Sequence, residues 1–111
     1  MSRGVPEQDW KIFRKLRDEA LARLSQRVLD DLGRMCADRS GSAYERYLEV
    51  HRFLRERDRE MANAFDHLSR SRMVEHLAAM IALGLVEPHD LTAMSSETRE
   101  RVQVLTDLQS G

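Results

Sequence analysis

Three features of this sequence predict an all-α fold. Apolar residues recur every three to four positions along two long segments, a short polar turn separates the segments, and helix-capping residues stand at their ends. Pro6 suits a first helical turn, and Glu7 and Asp9 complement the positive end of the helix dipole, so the first helix is expected over 7–37. On a 3.6-residue period Trp10, Phe13, Leu16, Ala20, Leu24, Val28, Leu32 and Met35 share one face. Asp38-Arg39-Ser40-Gly41-Ser42 breaks that pattern, and Ser42-Ala43-Tyr44-Glu45 has the Ser-x-x-Glu form in which serine and glutamate satisfy each other's free backbone donors. A second helix is expected over 43–68, with Tyr44, Tyr47, Leu48, Leu54, Met61, Phe65 and Leu68 as its apolar face.

The third helix, 72–83, is the most apolar, and Gly84-Leu85 reads as its cap: glycine accepts a left-handed conformation and the next apolar residue folds back. Pro88 then opens a short helix over 88–94, and Ser95 caps a last one over 96–108. The predicted architecture is a long antiparallel helical hairpin, a third helix and short C-terminal helices, forming one helical bundle domain over 1–111.

Composition narrows the class of function. The chain has 111 residues, 41% of them apolar and 33% charged, a globular balance in which much of each helix must face water. The formal charge of −1 gives no general pull toward nucleic acid or acidic membrane. With one cysteine, Cys36, neither an intrachain disulfide nor a zinc framework can be built. The sequence opens without the apolar stretch of a secretory leader and holds no run long enough to span a membrane, so a soluble, cytoplasmic protein is expected.

Length points to association. At about 1.5 Å per residue the two long helices reach roughly 40 Å each, and the remaining segments can cover only part of such a hairpin. A homodimer is the expected solution, in which hairpins or third helices pack across a two-fold axis. Met73, Leu77, Met80 and Ile81 are the candidate interface residues on the third helix. Phe53, on the wrong side of the second helix's apolar face, marks a second candidate contact.

Several polar residues sit where an apolar face is expected. Asp58 falls between Leu54 and Met61, with His51 two turns earlier. A buried carboxylate needs a partner, and in a hairpin turning near residue 40 it would face Arg17, giving a register-setting ion pair Arg17–Asp58. Asp31 interrupts the first helix's face and reads as an edge residue. The four histidines lack the carboxylate spacings of helical-bundle metal sites, and the glycines stand singly, so neither a metal, a cofactor nor a phosphate loop is expected. No base lies beside Cys36 or the serines, and no enzymatic activity is expected. Arg52, Arg55, Arg57 and Arg59 interleave with Glu49, Glu56 and Glu60 as a solvated face does, which leaves Arg70 and Arg72 as the candidate anion contacts.

Residues Ser42-Ala43-Tyr44-Glu45-Arg46-Tyr47-Leu48, then Arg57-Asp58, Ala64-Phe65-Asp66 and Ser69-Arg70-Ser71, resemble a set of short bacterial helical proteins of unassigned activity. Residues 80–91, Met80 to Leu91, resemble the helix, Gly-apolar turn and helix of short C-terminal oligomerisation modules such as SHOCT domains. That resemblance implies self-association. The expected function is therefore a homodimeric, non-enzymatic interaction, adaptor or regulatory module that binds itself and another protein. A nucleic-acid-associated regulator using the arginine-rich helix face is the alternative.

Overall fold

A computed structural model describes residues 4–110, and among them the chain is all-α, with four α-helices and two short 3-10 turns. Helix α1 spans Glu7–Ala37, α2 Ala43–Phe65, α3 Met73–Ala82 and α4 Ser96–Ser110, with the 3-10 turns at Arg70–Arg72 and Pro88–Leu91. The first two run antiparallel as a hairpin. No helix among the described residues is long and apolar enough to cross a membrane.

Local chemistry accounts for the ends of these elements. The amide of Glu45 donates to Ser42 Oγ and the amide of Ser42 donates to Glu45 Oε1, both at 3.1 Å, so the reciprocal cap expected from sequence opens α2. Asp38 accepts from the Ser40 amide at 2.9 Å, and Gly41, at φ 79°, supplies the left-handed residue of the turn. Helix α3 ends in the expected way. Gly84 has φ 71°, its amide donates to Ile81, and the Leu85 amide donates back to Met80, which places Leu85 in the core.

Two boundaries differ from expectation. Helix α2 stops at Phe65, short of Leu68, because Asp66 turns to extended backbone (φ −80°, ψ 148°) and His67 then takes a left-handed φ of 57°. Neither glycine nor asparagine stands there to signal a stop. Pro88–Leu91 is a 3-10 turn, with bonds from Asp90 to Glu87, Thr92 to His89 and Met94 to Leu91 in place of α-helical ones.

The core lies at one end of an elongated molecule of 60 × 27 × 24 Å. Phe13, Leu16, Ala20 and Leu24 of α1 meet Ala64 and Phe65 at the end of α2, the buried face of α3, and Leu85, Val86, Leu91, Met94 and Val102. Met73, Leu77 and Met80 are fully buried there, and Ile81 packs against them half-buried. This corrects the expectation that the third helix offers these side chains to a second molecule: α1 and α4 already cover them. From residue 25 to residue 63 no side chain is buried. The molecule thus divides into a packed base and a two-helix arm.

Candidate functional site

The Arg17–Asp58 pair is not formed. Arg17 Nη1 donates to Asp18 at 2.9 Å, and Asp58 is exposed. The cause is the rotational setting of α2. Its inner face is Arg46, Val50, Phe53, Leu54, Arg57, Met61 and Ala64, about a quarter turn from the stripe that hydrophobic spacing selects, at ~100° per residue. Phe53 consequently turns inward, half-buried, with the Arg57 guanidinium 5.3 Å over its ring. Tyr44, Tyr47, Leu48 and His51 turn out to water. Asp31 sits half-buried and pairs with Arg34 on its own helix.

Arg70 holds the start of α1. Its Nη1 donates to Glu7 Oε1 at 2.8 Å, its Nη2 donates to the Val5 carbonyl at 2.6 Å, and its guanidinium lies 6.0 Å from the Trp10 ring centre. A guanidinium so committed has little left for an outside anion. Arg72 is exposed at the N-cap of α3. Arg57 faces Glu60 at 3.4 Å and Glu56 at 3.5 Å, local pairing of the kind the interleaved charges implied.

The strongest polar junction was not singled out as a site by the sequence. Asp9, 2% exposed, accepts from Ser95 Oγ at 2.7 Å, from the Ser95 amide at 3.0 Å and from Thr98 Oγ1 at 2.7 Å, joining the start of α1 to the start of α4. Burial pushes its carboxyl up, but the hydrogen bonds from Thr98 and Ser95 outweigh this and hold it below the ordinary 3.8. Asp9 reads from sequence as a dipole-complementing residue of a first helical turn; its buried partners lie 86 and 89 positions away. Arg23 and Arg27 are likewise unannounced. Arg23 donates to the Leu85 carbonyl, and Arg27 to those of Leu83 and Gly84, at 2.6 to 2.7 Å, tying α1 to the end of α3. His76, buried, shares its Nδ1 with the Ala64 carbonyl at 2.9 Å, and its Nε2 has no hydrogen-bond partner.

A cleft of about 240 Å³ between α3 and α4 has Ile81, Leu91 and Val102 as walls and Arg99, Gln103 and Thr106 at its rim. The rim groups bond within the chain: Arg99 Nε to the Met94 carbonyl, Gln103 to Asp107, and Thr106 to the Val102 carbonyl. Among the described residues no three His, Cys, Asp or Glu side chains converge as a metal site would require.

The arm presents the more informative surface, because its two sides differ. One side carries charge: a cleft of about 270 Å³ sets Arg27, Asp31, Arg57 and Glu60 among Leu24, Val28, Ala82 and Leu83, and a smaller one of about 60 Å³ sets Asp38, Ser40, Arg46 and Glu49 beside Met35 and Val50. The other is apolar. There a groove of about 240 Å³ runs between the helices, lined by Met35, Cys36, Ala43, Tyr47 and Val50 with Arg46 beneath. Leu32 and Leu29 lie four and seven residues back from Cys36 on the same side of α1, while Tyr44 and Leu48 continue from Tyr47 around α2. Tyr44 is 68% exposed, Tyr47 63%, Leu29 60% and Leu48 39%.

No family model, no curated protein and no solved structure matches this chain.

Proposed function

We propose that this chain is a non-enzymatic helical interaction protein, homodimeric, that serves as an adaptor or regulatory partner in the cytoplasm. One observation carries the reading: residues 25–63 form a two-helix arm that buries none of its side chains and exposes Leu29, Tyr44, Tyr47 and Leu48. Two helices alone cannot cover their own apolar stripes, and exposed large apolar side chains along such an arm mark contact surfaces. Within residues 80–91, Met80, Leu85, Val86 and Leu91 are buried in the core of the same chain.

The nucleic-acid alternative has less support. The arm carries eight arginines against eight carboxylates, and Arg70 is engaged by Glu7 and the Val5 carbonyl. A surface of zero net charge gains little from counterion release.

Light scattering on the full chain at tens of micromolar tests the proposal. A mass twice that of the chain is expected. A single-chain mass across the accessible concentration range removes the homodimer.

A further inference from the structure

We propose that the apolar side of the arm, Leu29, Leu32 and Cys36 on α1 with Tyr44 and Tyr47 on α2, is the surface on which a second copy of this chain docks. The proposal rests on the homodimeric reading above and names the contact face within it.

α4 also exposes Val104 and Leu108, beside a groove of about 440 Å³ with Glu100 and Arg101 in its walls, whereas the arm brings large apolar side chains together from two helices. The candidate residues of the third helix are removed from contention by their burial, and the opposite side of the arm is lined by Arg27, Asp31, Arg46, Glu49 and Glu60. Stripping water from such charges costs more than their pairing returns. On the apolar side, the groove between the helices has Arg46 as its one charged wall, and the neighbouring positions add leucines and tyrosines. Tyrosine suits such a role because it offers a large rigid apolar body at low entropic cost and a hydroxyl for the rim. Tyr47 and His51 already lie ring to ring at 6.3 Å, which stiffens this part of the surface.

Area and charge select a second copy as occupant. Leu29, Tyr44 and Tyr47 leave on the order of 400 Å² in water, and the half-buried Leu32 and Met35 add to it, so this face supplies more than half of the ~800 Å² that each partner gives to a standard interface. A two-fold contact requires a surface complementary to itself. An arm with eight positive and eight negative side chains around an apolar strip meets that requirement, whereas a strongly acidic or basic partner would find no matching field. Two hairpins joined through this side make a four-helix bundle, in which each arm supplies the layer that the other lacks.

The sole cysteine provides a direct readout, because Cys36 is exposed in the single chain and lies on the proposed face. Two measurements on the full chain test the assignment: light scattering of the native protein and of Leu29→Glu/Tyr47→Glu, and the rate at which N-ethylmaleimide alkylates native Cys36 as protein concentration rises. Both substituted residues are more than half exposed, so circular dichroism of the variant should match the native chain. The expected result is a native dimer, a variant whose dimer dissociation constant rises about 100-fold or more, and Cys36 alkylation that slows several-fold as the dimer forms. Leu108→Glu, at the 72% exposed end of α4, should leave the dimer intact. A native dimer that survives the double substitution, or in which Cys36 reacts at a concentration-independent rate, overturns this face while leaving the homodimer standing. A native monomer overturns both.

Discussion

Asp9 is the residue on which the base of the molecule depends most sharply. A carboxylate 2% exposed is tolerable because three donors from the Ser95–Thr98 turn surround it, and those donors would be orphaned by its removal. Replacing Asp9 with alanine is expected to cost about 2–4 kcal/mol, measured by urea unfolding at neutral pH. The pH dependence follows from the sign of the shift. Because folding lowers this carboxyl below 3.8, its contribution is complete above that value and is lost as pH falls through the lower folded one. Native protein should therefore lose its advantage over Asp9→Asn in thermal melts taken from neutral pH down to about pH 2; a stability gap that stays constant over that range would refute the ionised junction.

At the scale of the elements, helix ends are held by guanidinium groups and by two left-handed residues. Arg27 spans the last carbonyls of α3 with two nitrogens, a fork that lysine cannot reproduce. Arg27→Ala and Arg27→Lys should both destabilise the protein by about 1 kcal/mol, the exposure of the site limiting the effect. His67, two residues past the end of α2, sits at φ 57°, which costs a side chain with a Cβ and costs glycine nothing. His67→Gly is expected to raise stability by about 0.5–1 kcal/mol, read as an upward shift of the thermal midpoint. A fall in midpoint would show that the His67 side chain contributes more by contact than its backbone costs.

The whole molecule is two bodies of unequal cohesion joined by continuous helices. The base contains the buried residues, and the arm between 25 and 63 contains none. Opening free energy tracks buried contact, so amide hydrogen exchange should be slower in residues 13–24 and 73–82 than in residues 28–57 at concentrations where the chain is monomeric. Raising the concentration should then protect the arm selectively. Uniform protection along α1 at low concentration would argue that the arm is stable without a second layer.

The boundaries of α1, the cap of α2 and the Gly84-Leu85 stop of α3 are local events, decided within four residues by proline, serine, glutamate and glycine, and the sequence alone determined them. The early end of α2 at Phe65 escaped it because neither glycine nor proline stands at Asp66-His67 to announce the extended and then left-handed backbone there. Tertiary structure decided what each helix face does. Period analysis gives α2 an apolar stripe through Tyr44, Tyr47 and Leu48, but packing against α1 selected the side bearing Val50, Phe53 and Arg57, whose aliphatic stem can lie on an apolar surface while its head reaches Glu60. The stripe so displaced is the candidate site, visible in sequence as hydrophobicity and recognisable as surface only once the chain had declined to bury it. Asp9, Arg23 and Arg27 were hidden for a related reason: each is an ordinary charge on an amphipathic helix until the fold brings it a partner more than fifty residues away.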